Sequence, residues 1–208
     1  GPDIEFVDAT FREYVQIFNH LAVTVEEHLI VETEMIKPLM GSKGQLDSIL
    51  EKLEQRQAIL QMEGDSLTDN ELEMLNVVRD CKISILELQN IQNQFLNTGD
   101  EDILETFKAI SENETRTYLI TLYEFAQALQ NSQIEESAVQ AQKAIDKFLV
   151  YVAQIQELGA QEYQSIKTLG TLGSQMLEKI DAIVQTNSLF IQSEIKSAVK
   201  TVTVIVVL

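Results

Sequence analysis

The sequence predicts an all-α protein made of five or six long helices. Three observations carry this prediction. Residues that break helices are scarce, with eight glycines and two prolines among 208 residues. Apolar residues recur in alternating steps of three and four, the spacing of helical bundles and coiled coils. Tryptophan is absent and aromatic residues make up 6% of the chain, which is unfavourable for a β-sandwich.

The sequence of residues 3–62 predicts two helices separated by a break. Residues 3–36 form the first helix, and residues 45–62 form the second, shorter one. Pro38 lies between them, and proline removes a backbone donor and disfavours helix in the residue before it. Gly41 and Gly44 follow, so we expect the chain to bend there. A loop at residues 64–70 ends in capping residues.

The third predicted helix, residues 71–96, has the clearest apolar seam. Its members are Met74, Val78, Cys81, Ile85, Leu88, Gln92 and Phe95. Gln92 is the one polar residue at a seam position. The helix should end near Gly99, which suits a left-handed C-terminal position, and Asp100 can cap the next helix.

The remaining chain predicts three further helices. The fourth runs to about Leu129 and is followed by a turn at residues 131–132, and the fifth covers residues 134–169. A bend or break is expected at residues 170–173, and a final helix starts at Ser174. The seam of the fifth helix contains Ile145, Phe148, Val152 and Ile155. That of the last contains Leu177, Ile180, Val184, Asn187 and Ile191.

Both ends of the chain differ from the rest. Gly1 and Pro2 look like the remnant of a cleaved tag and are left out of the fold prediction. Residues 201–208 are uncharged and mostly β-branched. They fit a late strand, a buried helix end, or the start of a truncated transmembrane helix, and we favour the last because an amphipathic helix leads directly into them. A complete span needs about 20 apolar residues, so this segment alone cannot cross a bilayer.

Charge and residue types exclude several classes of function. The net charge is −18, from 15 basic and 33 acidic residues, which argues against binding nucleic acid or anionic lipid. The single cysteine, Cys81, cannot form an intramolecular disulfide or a cysteine zinc site. His20 and His28 would lie about 12 Å apart on one helix, too far to share a metal. We find no phosphate-binding loop or nucleophile elbow, so the sequence predicts neither enzyme activity nor a cofactor.

A ligand site, if present, should lie between helices. Arg79 and Arg116 can each clamp a carboxylate through the planar guanidinium, although a surface ion pair is the ordinary role of such residues. Tyr123 lies close to Arg116 in sequence, and Gln89 and Gln92 can hydrogen-bond a neutral group. A buried amide such as Gln92, or Asn187 in the last helix, either fixes the helix register or lines a pocket.

Three segments together resemble the helical bimodular ligand-binding domain of methyl-accepting chemotaxis proteins. Residues 85–100 read ILELQNIQNQFLNTGD and resemble its hairpin, which has an apolar pair, a polar segment, Phe-Leu and a Gly-Asp turn. Residues 144–152, AIDKFLVYV, resemble its aromatic helix. Residues 170–176, GTLGSQM, precede an uninterrupted helix that resembles its return to the membrane. Gln89 and Gln92 stand where the family often has Arg and Glu.

The resemblance implies a receptor domain in the bacterial periplasm. Residues 3–200 would form two stacked four-helix bundles that share long helices, anchored to the inner membrane by flanking transmembrane helices. The expected stimuli are a small organic acid, amino acid or amine, or a periplasmic binding protein. The intact receptor would be a homodimer. Because a charge of −18 per copy opposes association, the isolated domain should be a monomer or a weak dimer.

A different class of protein fits the same sequence. A soluble helical interaction protein, such as a component of a pore-forming toxin, would also have amphipathic helices and an apolar segment at residues 201–208. The sequence that follows Leu208 would discriminate the two. A receptor should continue apolar and then become basic, whereas a toxin should show a turn and a second apolar helix.

Overall fold

The structure, a computed structural model, describes residues 2–100 and 102–207, with side chains described up to residue 197. This part of the chain is helical and contains no strand, so the predicted all-α class is confirmed. The helices are α1 (Pro2–Glu63), α2 (Asp69–Thr98), α3 (Asp102–Ala109), α4 (Arg116–Ala128) and α5 (Ser132–Val207), with a π-helical segment (Ile110–Thr115) between α3 and α4. None of these helices is long and apolar enough within the described residues to span a membrane.

The chain divides into two compact units. Unit 2, residues 27–159, packs four helical segments around one core, and the predicted seams of α2 and of the first part of α5 are buried there. Phe107 is fully buried and meets the rings of Phe95 and Phe148 edge to face, with centroids 6.4 and 5.3 Å away. Such ring pairs stabilise a core beyond the area that they bury.

The break predicted around Pro38 is wrong, because α1 continues through it. Proline inside a helix costs about 3 kcal/mol. Pro38 is itself buried, and Met35 and Leu39 beside it are fully buried. Burying each such side chain contributes about 1.5–3 kcal/mol, so the packing of this stretch outweighs the lost backbone hydrogen bond. The predicted second helix is therefore the C-terminal part of α1.

The break predicted at residues 170–173 is also wrong, because α5 is continuous from Ser132 to Val207. A glycine inside a helix costs about 1 kcal/mol relative to alanine. Leu169 and Leu172 are buried beside Gly170 and Gly173, and their packing is enough to maintain the helix. Residues 201–207 belong to this helix, which excludes the late strand among the three alternatives for the chain end.

The turns of unit 2 follow local capping chemistry. Thr68 and Glu71 form a capping box at the start of α2, in which each side chain binds the backbone amide of the other. Gly99 ends α2 with φ of 63°, the left-handed conformation predicted for it. The Asp100 carboxylate accepts a hydrogen bond of 3.1 Å from the Asp102 amide, as expected of a cap. Asn131 caps α5 in the same way by accepting from the Ile134 amide.

The π-helical segment interrupts the predicted fourth helix. The buried positions of this region are Leu104, Phe107, Ile110, Ser111, Thr115, Leu119, Leu122 and Ala126, and those from Phe107 through Ser111 and Thr115 to Leu119 are each four residues apart. Three successive steps of four residues would rotate a regular α-helix by about 120° away from its seam. A π turn accommodates an additional residue and returns the side chains to the core. The segment therefore keeps α3 and α4 packed on the same core.

Unit 1, residues 2–26 and 160–207, is a pair of helical segments with one buried face each. Thr10, Thr24, Leu169 and Leu172 are buried on these faces. The seam predicted for the last helix is not buried: Leu177, Val184 and Ile191 are each more than half exposed, and Asn187 is exposed. Asn187 is thus not a core amide in the single chain, because the two helices meet through the neighbouring face, but it lines an open cavity of about 180 Å³ beside Asp3 and Ile183.

Candidate functional site

An apolar groove lies between α4 and α5, which run antiparallel in unit 2. Its volume is about 370 Å³, and it is open to solvent. We call it the α4–α5 groove. It is lined by Leu119, Ile120, Tyr123, Ala138, Val139, Gln142 and Lys143. Leu119 and Ala138 form a buried floor, whereas Ile120 is half exposed on the rim.

Polar side chains lie at one end of the groove. Arg116 donates to the Asp146 carboxylate at 2.6 Å, and the Gln142 amide nitrogen donates to the same oxygen at 3.0 Å. This arrangement fixes the orientation of the Gln142 amide. Its oxygen is buried and has no hydrogen-bond partner among the described residues. A buried acceptor without a partner is costly, so a ligand that donated a hydrogen bond here would be stabilised.

The other end has a separate polar cluster. Gln127 donates through its amide nitrogen to the Tyr123 hydroxyl oxygen at 2.7 Å, and the same nitrogen lies 3.4 Å from Glu135. Lys143 lies along the groove and forms no ion pair within the described part of the chain. Its ammonium group can attract an anionic group. The groove therefore suits a small molecule with an apolar body, a hydrogen-bond donor and a negative group.

The structure does not bring the five predicted ligand residues together. Tyr123 lines the groove, and Arg116 contributes indirectly through Asp146. Arg79 instead pairs with Glu54 at 3.2 Å, and both side chains are about half exposed. Gln89 is half-buried on α2 and lies outside the groove lining. The prediction of one site from all five is therefore not supported by their positions, because they lie on different helices and faces.

Gln92 is fully buried, as its seam position predicted, but it is not in the groove. Neither atom of its amide has a hydrogen-bond partner among the described residues. The hydroxyl of Ser111, in the π-helical segment, is likewise buried without a partner there. Ser84 and Thr115 are also buried and share a hydrogen bond of 2.7 Å. The core between α2 and the π-helical segment is therefore unusually polar.

A second, polar cavity of about 430 Å³ lies where the 64–68 and 129–131 turns meet. It is lined by Arg56, Thr68 and Glu71 together with residues of the second turn. Burial raises the pKa of Glu71, but hydrogen bonds from Thr68 and Arg56 outweigh this and hold it below the ordinary value. Because these polar groups satisfy one another, they cap the start of α2 and leave no unpaired group of this cluster for a ligand.

Sequence reasoning missed Gln142, Lys143, Ile120 and Val139. The available signal was the pairing of Ile120 with Tyr123, and of Val139 with Gln142 and Lys143, at helical spacing outside the main seam. That signal alone does not say which helices face each other. The register of α4 against α5 depends on the short turn at residues 129–131, where Gln130 has a positive φ of 53°.

Comparison of the chain with protein families, with curated proteins and with solved structures gave no significant match. The likeness to chemoreceptor sensor domains therefore stays a prediction from the sequence.

Proposed function

We propose that this chain is the extracytoplasmic sensor domain of a bacterial chemotaxis receptor. It binds a small molecule in the α4–α5 groove and transmits a helix displacement across the membrane. The observation that carries the proposal is that the groove is built on α5, which continues without a break from Ser132 to Val207. The resemblance of residues 70–208 to such domains supports the same function.

The groove supplies the chemistry for recognition. The apolar surfaces of Ile120 and Val139 can accept the body of a ligand, while the Gln142 oxygen and the Lys143 ammonium group recognise its donor and its anionic group. The preferred ligand is thus an amphiphilic organic acid or an apolar amino acid. Since the chain carries a net charge of −18, long-range repulsion opposes an anion, and local contacts with Lys143 must overcome it.

Helices that pack against each other can shift relative to one another between discrete arrangements. A ligand changes the arrangement of α4 and α5 only through its different affinity for two arrangements of these helices. Helices in such systems shift by about 1–2 Å. A ligand that contacts both walls of the groove can select one arrangement and move α5 against α4.

Binding can be tested by thermal-shift screening of organic acids, amino acids and amines. Val139→Phe should fill the groove and abolish stabilisation by any compound that stabilises the wild type. Val150→Phe, on the same helix at a half-exposed position outside the groove lining, is the matched control and should retain it. Arg79→Ala should have no effect on binding, whereas Arg116→Ala should weaken it by releasing Asp146. A ligand whose stabilisation survives Val139→Phe unchanged would refute the groove as its site.

Transmission needs a separate measurement. Spin labels at Glu124 and Gln140, both exposed and on either side of the groove, report the distance between α4 and α5. Buried Cys81 should remain unlabelled. A change of about 1 Å or more on addition of a ligand identified by the screen is expected. Binding with an unchanged distance distribution would leave the site intact but contradict signalling by displacement.

The second candidate function is a helical interaction protein. The exposed apolar residues of unit 1 favour it, since they present a surface that a partner could cover. An interaction protein would show no response to small molecules in the same screen.

A further inference from the structure

The core of unit 2 contains hydrogen-bonding side chains that have no partner. Ser42 on α1, Gln92 on α2 and Ser111 in the π-helical segment are all fully buried. The two hydroxyls and both polar atoms of the Gln92 amide lack a hydrogen-bond partner among the described residues. Such groups are rare in folded proteins, and each costs free energy that a bound polar molecule would recover.

Ser42 lies close to Gln92 along the axis of the bundle. α1 and α2 run antiparallel, and their alignment is fixed by Lys82, which pairs with Asp47 at 2.5 Å. Ser42 precedes Asp47 by five residues, so it is level with about residue 87 of α2. Gln92 is therefore about 8 Å further along the axis.

Ser111 lies at about the same level as Ser42. α2 and the π-helical segment also run antiparallel, and Ser84 shares a hydrogen bond of 2.7 Å with Thr115. Ser111 precedes Thr115 by four residues, so it is level with about residue 88 of α2. The groups without partners therefore come from three helical segments and lie within about 8 Å of one another along the axis.

The size and charge of the surrounding side chains restrict what these groups can bind. Two serines at one level fill less space than the leucine, methionine and phenylalanine side chains of the same core, which favours a molecule of a few atoms. Among the described residues, Glu71 is the only buried side chain with a charge, and it pairs with Arg56 at the start of α2. A charged molecule near Gln92 would be buried without a counter-charge, which is costly, so a neutral one is favoured.

The Gln92 amide determines the kind of neutral group. Its oxygen accepts and its nitrogen donates on one planar face. A primary carboxamide has the complementary pair, so the two groups can form two parallel hydrogen bonds. The serine hydroxyls can each donate and accept. With hydrogen bonds of about 3 Å at either end, a hydroxyl two carbons from the carboxamide spans the distance to them.

Helix-breaking residues beside the site provide a way in. Pro38, Gly41 and Gly44 surround Ser42 on α1. Proline and glycine weaken a helix, so this stretch opens locally more readily than the rest of α1. The π-helical segment, which holds Ser111, is a second irregular stretch at the site, and such segments are frequent at functional sites.

We infer that the core of unit 2 contains an internal site for a small neutral hydroxy amide, which Gln92, Ser42 and Ser111 bind and which enters by local opening of residues 38–44. In the free protein the Gln92 amide is unpaired at a cost in stability, and the ligand supplies its partner. The site is separate from the α4–α5 groove, so the inference holds whether or not that groove binds a ligand.

The probe is 3-hydroxypropanamide, and its charged counterpart 3-hydroxypropanoate is the control compound. Binding to the full chain is followed at pH 7 by NMR, through the side-chain amide of Gln92 and the backbone amides of residues 38–44 and 110–115. The amide should shift these signals with a dissociation constant of about 1–10 mM, as expected for so small a molecule. The carboxylate should bind at least tenfold more weakly.

Substitutions identify the residues that bind the probe. Gln92→Met should abolish binding, and because it is expected to stabilise the fold, this loss is not a consequence of misfolding. Gln94→Met, exposed on the same helix, is the matched control and should bind like the wild type. Ser42→Ala and Ser111→Ala should each weaken binding at least threefold. Val139→Phe, which fills the groove, should leave binding unchanged.

The entry route has its own measurement. Gly44→Ala favours the helix and adds a Cβ that meets no heavy atom within 4 Å. Opening should become rarer, so association and dissociation of the probe should both slow about fivefold at unchanged affinity. Rates equal to those of the wild type would contradict entry through residues 38–44.

Three results would overturn the site itself. The first is an absence of shifts at probe concentrations up to about 100 mM. The second is binding that survives Gln92→Met or disappears with Val139→Phe. The third is a nuclear Overhauser contact between the Gln92 amide and water that the probe does not displace, since water alone would then occupy the site.

Discussion

Replacing the buried amide of Gln92 by a thioether of similar size should stabilise the protein, even though the residue lies in the core. The side chain is fully buried, and neither its oxygen nor its nitrogen has a partner among the described residues. A buried polar group without a hydrogen bond costs about 1–3 kcal/mol. Gln92→Met removes both groups and keeps the unbranched shape, so unfolding should become harder by about 1–3 kcal/mol.

Urea denaturation followed by helical circular dichroism measures this change. With a denaturant dependence of about 2–3 kcal/mol per molar urea, the midpoint should rise by roughly 0.3–1.5 M at unchanged slope. Gln94→Met is the matched control. Gln94 is exposed on the same helix, so its replacement should change stability by less than about 0.5 kcal/mol.

A destabilisation of 1 kcal/mol or more by Gln92→Met would refute the reasoning, because it would mean that the amide is hydrogen-bonded in the folded protein. A double-mutant cycle with Ser111→Ala tests one candidate partner, another buried side chain of this core without a hydrogen bond. If Gln92 and Ser111 act independently, their effects should add within about 0.5 kcal/mol. A larger coupling energy would indicate that the two side chains bond one another across α2 and the π-helical segment.

Three other predictions concern unit 2. Phe95→Ala should cost about 3–5 kcal/mol in urea denaturation because the ring is buried against Phe107; a loss below about 1 kcal/mol would contradict this packing. The pKa of Glu71 is lower in the folded protein than its unfolded value of 4.5, so the ionised carboxylate stabilises the fold above pH 4.5. This contribution is lost as the pH falls through the folded pKa. Glu71→Gln should thus cost about 1 kcal/mol at pH 7 and much less near pH 3, and equal costs at both pH values would argue against the ion pair and cap. Burial raises the pKa of Cys81 to about 12, so a thiol reagent at pH 8 should react at least about a hundredfold slower with the native protein than in urea; rapid native labelling would show an open core.

The helical class and most element ends could be predicted because they depend on neighbouring residues. The α2 seam predicts a buried face since its apolar residues share one side of a single helix, and all seven members are buried. Gly99 and Asp100 act as predicted because caps involve atoms within a few residues. Residues 85–100 are therefore well described by sequence alone.

The predicted helix breaks are wrong at the positions where tertiary packing opposes the local preference of proline or glycine. Pro38, Gly170 and Gly173 each weaken a helix by a few kcal/mol at most, and buried neighbours supply more than that. The π-helical segment was also missed, since its cause is the alignment of two seams rather than a residue type. The predicted ligand residues do not all lie together for a related reason: Arg79 pairs with Glu54, 25 positions away in sequence.

Local sequence features were enough to predict that this chain is helical, that α2 and the first part of α5 have one buried face each, and that the chain turns near residues 64–68, 99–100 and 131. These features follow from periodicity and capping, which act over one or two turns. Tertiary contacts determine which helices continue through proline or glycine, and which apolar stripe of unit 1 is buried. They also determine that Tyr123 and Gln142 line the same groove. Those outcomes depend on the alignment of distant segments, because heptad spacing repeats along a helix and fits several registers equally well.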